Sequence, residues 1–185
     1  MTQQTAALQL GKKAPDFKLL DAKTKDFYRY EQVRGKRGTI IMFLANHCPY
    51  VQLVAEELSR LANDYRILGF GFAAISSNDA EQYPADSFGN MHFFAREYDF
   101  TFPYLYDESQ EIAKAYAAEC TPDFFIFNAE NELVYHGQLD DARPGNGLAV
   151  NGRNVRETLD NLYYNRRLNT KQKPGVGCSI KWKKA

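Results

Sequence analysis

Hydrophobic residues recur along the chain in two alternating patterns, short unbroken runs and runs with helical spacing. Thr39 to Leu44 is an unbroken apolar and β-branched run, as expected of a strand buried on both faces. From Pro49 the apolar residues recur every three or four positions as far as Leu61, which predicts an amphipathic helix with proline in its first turn. Further along the chain, the same patterns predict strands over 69–75, 123–127 and 132–136 and helices over 87–98, 108–117 and 154–164.

Strands that alternate with helices predict an α/β fold with a central mixed sheet flanked by helices. Before this core, residues 18–20 and 27–30 form a predicted β-hairpin. The 185 residues fit one domain, 1–185, with an N-terminal extension and hairpin over 1–38, a core over 39–165 and a tail over 166–185. The tail is basic and irregular, and residues 178–182 are a candidate short strand.

Composition and charge narrow the classes of partner. The 23 Lys and Arg residues balance the 23 Asp and Glu residues, so neither nucleic acid nor a membrane is an expected partner. Met1 to Leu10 lacks the basic start and apolar run of a signal peptide, and the expected compartment is the cytoplasm. Three widely spaced cysteines fit neither a disulfide framework nor a zinc site, and no cofactor or metal is predicted.

Cys48 is the main candidate for chemistry because it lies between a predicted strand and a predicted helix. At a helix N-terminus, unpaired N–H groups and the helix dipole favour an anion, so the pKa of this thiol is expected below about 8.5. The neighbouring His47 is a candidate for added positive charge or a hydrogen bond near the sulfur. The alternatives are that Cys48 is a small buried apolar residue and that His47 points into solvent.

Several segments together resemble thioredoxin-like proteins of the AhpC/TSA (redoxin) family, in particular a small bacterial group with an Asn-His-Cys-Pro-Tyr-Val motif. The resemblance implies a thioredoxin-like fold, thiol redox chemistry with antioxidant activity, and a cis Thr121-Pro122 bond opposite the reactive cysteine. The segments that carry it are NHCPYV (46–51), AISSNDAEQYPADSF (74–88), FPYLYDESQEIAKAY (102–116), CTPDFFIF (120–127), YHGQLDDARPGN (135–146) and GCSIKW (177–182).

At several positions this chain lacks residues that thioredoxins or peroxiredoxins use, and these differences make some redox mechanisms less favoured than others. Thioredoxins carry a second cysteine where this chain has Val51 and a buried carboxylate where it has Met42. Peroxiredoxins carry a threonine where this chain has Ala45, and their arginine is replaced by the turn 120–122. The peroxidase interpretation is weakened, whereas Cys-Pro-Tyr-Val is similar to a monothiol form of the glutaredoxin motif and makes glutathione a candidate resolving thiol.

The thiol that resolves an oxidised Cys48 is left open between two internal candidates and an external thiol. Cys120 lies two residues before the expected cis-proline, and Cys178 follows the flexible segment 174–177. Either needs its α-carbon within about 7 Å of that of Cys48. Arg143 is a candidate cation for substrate or thiolate. Other expected neighbours of the site are Pro49, Tyr50, Thr121 and Pro122, with Asn78, Asp79 and Tyr83 at the carboxyl end of the second strand.

The preferred interpretation is a thiol-disulfide oxidoreductase that uses a Cys48 thiolate, with a protein disulfide, a small thiol or a peroxide as the expected substrate. Glutathione and thioredoxin are the candidate electron donors. Two alternatives stand beside it, a peroxiredoxin-like thiol peroxidase and a thioredoxin-fold module that binds extended peptides without turnover. The missing second cysteine of the motif favours the module.

Overall fold

The computed structural model describes residues 8–184 and contains a seven-stranded mixed sheet with helices packed against it. The predicted thioredoxin-like architecture, a central mixed sheet flanked by helices, is confirmed. The first seven residues of the N-terminal segment considered above lie outside the described residues. Within the described part of the chain, no helix is both long enough and apolar enough to cross a bilayer.

The elements follow one another in a mostly alternating order. The strands are β1 (Lys18–Asp21), β2 (Phe27–Arg29), β3 (Gly38–Phe43), β4 (Phe70–Ser76), β5 (Tyr104–Tyr106), β6 (Cys120–Thr121), β7 (Asp123–Asn128), β8 (Leu133–Gly137) and β9 (Cys178–Ser179). The helices are α1 (Tyr30–Val33), α2 (Pro49–Arg66), α3 (Phe88–Glu97), α4 (Glu111–Tyr116) and α5 (Arg153–Tyr163), with a short 3-10 helix at Pro84–Asp86.

The main sheet has the strand order β2-β1-β5-β4-β3-β7-β8. Its centre, β3, is buried along its whole length, parallel to β4 and antiparallel to β7. Ile40 and Met42 face a core layer formed with α2, α3 and α5, whereas Ile41 and Phe43 face a second layer formed with α1 and α4. This alternation explains the unbroken apolar run, because both faces of the strand are covered by helices.

The predicted hairpin and the predicted helices are present, but the hairpin ends at Arg29 because Tyr30 begins α1, and α1, the 3-10 helix, β5 and β6 were not predicted. Sequence patterns missed β5, which has three residues and is held by β4 on one side and β1 on the other. Helix α4 begins at Glu111 rather than at 108, because Gln110 has a left-handed backbone (φ +65°) and the Asp107 carboxylate accepts the N–H groups of Ile112 and Ala113. The hairpin adds to the main sheet through the pairing of β1 with β5.

Candidate active site

Cys48 is the N-cap residue of α2, directly before the first helical residue, Pro49. It follows the four-residue connection 44–47 from β3, and its carbonyl accepts the N–H groups of Val51 and Gln52 at 3.0 Å each. Pro49 occupies the first helical position, where its missing N–H costs nothing. The Cys48 side chain is completely buried. The thiol therefore lies inside the protein at the positive end of the helix dipole of α2.

Two groups contact the Cys48 sulfur. The carbonyl oxygen of Thr121 is 3.2 Å from Sγ, and the Cys178 Sγ is 2.7 Å from it. The Thr121-Pro122 bond is cis, so the predicted cis-proline and its position opposite Cys48 are confirmed. All three cysteines of the chain are thiols in the structure.

Cys178 reaches Cys48 because the tail adds a strand beside the cis-proline. Strand β9 pairs antiparallel with β6, with Cys178 opposite Thr121 and Ser179 opposite Cys120. A Cβ on Gly177 would lie 1.9 Å from the Thr121 carbonyl oxygen, so this close approach requires glycine. The segment predicted to be a flexible approach is thus docked against the domain.

Cys120 is not placed to contact Cys48. Residues directly opposite each other in an antiparallel pair project from the same face, and successive residues of one strand project from opposite faces. Cys178 therefore shares a face with Thr121, and Cys120 projects from the opposite face of the β6–β9 pair. On that face it adjoins Asp123, and a Cβ on Gly175 would meet both side chains, at 2.8 Å from Asp123 Oδ1 and 3.0 Å from Cys120 Sγ. Burial, followed by the charges of Asp123 and Glu119, raises the pKa of Cys120 to about 12.

The two contacting sulfurs differ in their electrostatic surroundings. Burial, followed by the hydrogen bond to Cys48 and the charge of that thiol, raises the pKa of Cys178 to about 11. The Tyr50 backbone N–H faces the Cys178 sulfur and acts in the opposite direction, as does the Lys181 charge. Cys178 is consequently protonated at neutral pH, and its sulfur accepts the hydrogen bond that the Cys48 thiol donates.

His47 forms a pair with a carboxylate that the sequence patterns did not identify. Its Nδ1 is 2.5 Å from Asp86 Oδ2, its backbone N–H donates to Asp86 Oδ1 at 3.2 Å, and its ring stacks on Tyr83. Asp86 is completely buried and accepts a further hydrogen bond of 2.8 Å from Asn78 Nδ2. The only available signal was its place in the PADSF segment of the family resemblance, because nothing local indicates that this aspartate faces inward.

Asn78 and Gln110 connect the domain to the tail. The backbone N–H of Lys181 donates to Asn78 Oδ1 at 2.8 Å, and Gln110 Nε2 donates to the Lys181 carbonyl at 2.9 Å. Gln110 Oε1 then accepts the N–H of Lys183 at 2.8 Å. Asn78 therefore joins the tail to the His47-Asp86 pair. Gln110, which the sequence patterns missed, binds the tail at Lys181 and Lys183.

Arg143, the candidate cation, is engaged within its own loop. Its Nη1 donates to the carbonyl oxygens of Asp140 and Ala142 at 2.7 Å each, and its Nη2 bonds to Gln138. Among residues 8–184, no group of three or more His, Cys, Asp or Glu side chains is arranged to hold a metal ion.

Three known proteins are similar to this chain with decreasing sequence identity. A crystal structure of an uncharacterized conserved protein from Geobacillus kaustophilus is 53% identical, with a TM-score of 0.94, over 97% of this chain and 95% of that one. The thiol-disulfide oxidoreductase ResA of Bacillus cereus is 23% identical over 127 residues, which are 69% of this chain and 68% of that protein. The thioredoxin domain of a thiol-disulfide oxidoreductase from Bacteroides vulgatus is 14% identical, covers 70% of this chain and 89% of that one, and has a TM-score of 0.59, a likeness of fold alone.

The family model of the AhpC/TSA family matches residues 10–136, a segment that contains Cys48, the His47-Asp86 pair and the cis-proline, while Cys178 lies beyond it. With that match over more than half of its length, the chain belongs to the AhpC/TSA family.

Proposed function

We propose that this protein is a thiol-disulfide oxidoreductase whose redox pair is Cys48 and Cys178. The observation that carries the proposal is the 2.7 Å separation of their sulfur atoms. The thiol that thioredoxins carry within the motif is here supplied from the tail, 130 residues away in sequence. The names of the ResA relatives support the same class of reaction.

The cycle balances with two electrons and two protons. A substrate disulfide is reduced to two thiols while the Cys48 and Cys178 thiols lose their protons and form a disulfide with each other. An external thiol then reduces this disulfide and is itself oxidised. The helix N-terminus favours the charge on Cys48, and the raised pKa of Cys178 keeps that thiol protonated until it reacts.

A peroxidase cycle uses the same two residues and is the second candidate. A Cys48 thiolate would attack one peroxide oxygen, the O–O bond would break, and water or an alcohol would leave as Cys48 becomes a sulfenic acid. The Cys178 thiol would then condense with the sulfenic acid to form the disulfide and release a second molecule of water. The adjacent Cys178 favours this candidate, because a sulfenic acid needs a nearby thiol. Against it stands Ala45, a wholly buried methyl group where the resemblance leads one to expect a threonine.

The test follows the disulfide after limited oxidation. Dilute reduced protein is treated with one equivalent of oxidised glutathione or, separately, hydrogen peroxide, and its cysteine pairing is determined by peptide mass spectrometry. We expect one intramolecular disulfide between Cys48 and Cys178 in wild type and in Cys120→Ser, and none in Cys178→Ser. The oxidant that reacts faster distinguishes the two cycles.

Two results would overturn the proposal. A disulfide between Cys48 and Cys120 would show that the tail thiol is not the partner. Unchanged thiols after both oxidants would instead support the peptide-binding module, in which the pair has no redox role.

A further inference from the structure

The two cysteines of the proposed redox pair differ in burial. Cys48 is completely buried, whereas Cys178 is partly exposed. The Thr121 carbonyl and the Cys178 sulfur of the tail both lie directly against the Cys48 sulfur. A reagent arriving from solvent therefore meets Cys178 before it meets Cys48.

The tail beside Cys48 is held to the domain by several backbone hydrogen bonds. Besides its pairing with β6, its backbone is bonded by Asn78 and Gln110, and the N–H of Asp79 donates to the Lys181 carbonyl at 2.8 Å. The side chain of Ile180 is 3% exposed and belongs to the core layer on the α1 and α4 side of the sheet. Exposing Cys48 would require these bonds to break and Ile180 to leave the core.

We propose that the external thiol that reduces the Cys48-Cys178 disulfide attacks the sulfur of Cys178, and that Cys48 is the leaving group. This inference rests on the proposed function, since it concerns the disulfide which that function forms. In the alternative, the external thiol would attack Cys48, the cysteine at the helix N-terminus, and Cys178 would be the leaving group.

Each step of this reduction balances. An external thiolate forms a bond to Cys178 Sγ, the bond between Cys178 and Cys48 breaks, and its electron pair stays on Cys48 at the N-terminus of α2. A second external thiolate attacks the external sulfur of the mixed disulfide and releases the Cys178 thiolate, which takes a proton. The products are one external disulfide and the reduced pair, with two electrons transferred.

The stability of the departing thiolate also favours attack on Cys178, with Cys48 as the leaving group. In thiol-disulfide exchange the sulfur whose thiolate is better stabilised leaves faster. The pKa of Cys178 is raised to about 11, whereas a thiolate on Cys48 would have the helix N-terminus beside it. Attack on Cys48 would instead expel a thiolate from Cys178, which is the less favourable product.

The pairing of β9 with β6 also indicates which class of reductant can reach Cys178. An extended segment of a protein reductant would add to β6, but β9 already pairs with that strand. A small thiol needs only the exposed side of Cys178. We therefore assign the role of reductant to a low-molecular-weight thiol, and glutathione is the probe used below.

The experiment identifies which cysteine carries the mixed disulfide. Oxidised wild-type protein is mixed with glutathione, denatured in a large excess of a fast alkylating reagent within the first fraction of a turnover, and digested for mass spectrometry. We expect glutathione on Cys178 and the alkyl group on Cys48, in at least tenfold excess over the opposite arrangement. Glutathione found mainly on Cys48 would overturn the inference.

Two matched variants test whether the docked tail causes the preference. Gln110→Asn tolerates the left-handed backbone at this position but is too short to keep both bonds to the tail. We expect it to raise the fraction of glutathione on Cys48 at least fivefold. Gln138→Asn shortens another buried glutamine whose side chain bonds Asp141 and Asn154, and we expect it to leave the ratio unchanged.

The outcomes separate this inference from the proposed function. If oxidised wild type contains no Cys48-Cys178 disulfide, the proposed function fails. If the disulfide is present but glutathione attaches to Cys48, or if Gln110→Asn gives the same ratio as Gln138→Asn, the proposed function stands and only this inference fails.

Discussion

Cys178 lies directly opposite Thr121 in the antiparallel pair of β6 and β9, and the carbonyl of the same threonine is 3.2 Å from the sulfur of Cys48. One backbone register thus sets the position of the second thiol relative to the first. The residue before Cys178 makes that register sterically feasible, because Gly177 brings the tail backbone against the Thr121 carbonyl.

Gly177→Ala is expected to detach β9 from β6. The added Cβ would lie 1.9 Å from the Thr121 carbonyl oxygen and 2.6 Å from its carbon, both backbone atoms. We expect the rate of Cys48-Cys178 disulfide formation to fall at least tenfold, measured by quenched alkylation. The melting temperature should fall as well, because Ile180, three residues after Gly177, is buried in the core layer on the α1 and α4 side of the sheet.

Gly89→Ala is the matched control for this variant. Gly89 lies in α3, and a Cβ there meets nothing within 4 Å. The change should leave disulfide formation at the wild-type rate and stabilise the helix by about 0.5 to 1 kcal/mol. Equal rates in the two variants would contradict the role of Gly177.

Cys48→Ala is expected to make Cys178 more reactive. The Cys48 sulfur raises the pKa of Cys178 through a hydrogen bond and through its charge, and the Tyr50 N–H that lowers this pKa remains in the variant. Alkylation of Cys178 at pH 8, followed residue by residue by mass spectrometry, should accelerate several-fold. Cys120 should change less in the same samples, because burial, Asp123 and Glu119 outweigh Cys48 there. A Cys178 rate equal to that in wild type would contradict the coupling.

Cys120 is expected to reduce stability at alkaline pH. Its folded-state pKa of about 12 is higher than the ordinary value of 9.0 for an exposed thiol. Below pH 9 both states keep the proton and the residue has no effect on the pH dependence. As the pH rises from 9 toward 12, the unfolded chain releases the proton and the folded protein retains it, so stability is lost.

Cys120→Ser removes this titration. Between pH 9 and pH 10.5, the free energy of unfolding of reduced wild type should fall by ~1 kcal/mol more than that of the variant, after allowance for the partial exposure of the thiol. Urea unfolding at three pH values measures the difference. Parallel pH profiles for the two proteins would show that Cys120 is not shielded as the structure indicates.

Local patterns were sufficient for the central elements and for one half of the site. Residues 39–44 are apolar on both faces of a strand, and the spacing after Pro49 fits a single helix face, so the junction that contains Cys48 followed directly. Strand β5 could not be predicted in this way. It has three residues, and it exists because β4 and β1 both hydrogen-bond to it.

The second half of the site depends on contacts between distant parts of the chain. Choosing between Cys120 and Cys178 requires the register that places Cys178 opposite Thr121, and no local pattern contains that register. Asp86 was missed for a related reason. Its partners are His47, 39 residues earlier, and the tail-binding Asn78, so its role is visible only once three segments have been brought together.

Asp86→Asn is expected to weaken both the fold and the redox pair. The two Asp86 oxygens accept from the His47 ring, the His47 backbone N–H and the Asn78 amide. An asparagine offers one oxygen and one NH₂ group, so at least one of these buried donors loses its acceptor, at a cost of about 1 to 3 kcal/mol. Urea unfolding of the reduced protein measures this loss.

The same change should also slow formation of the Cys48-Cys178 disulfide, because Asp86 holds the backbone next to Cys48 and, through Asn78, the tail at Lys181. Asp140→Asn provides the matched control. Asp140 is another buried carboxylate, which accepts the N–H groups of Ala142, Asn151 and Gly152. Both variants should lose similar stability, but only Asp86→Asn should form the disulfide more slowly, by roughly the tenfold that 1.4 kcal/mol represents. Equal slowing in both variants would mean that general destabilisation, rather than the position of Asp86, controls the pair.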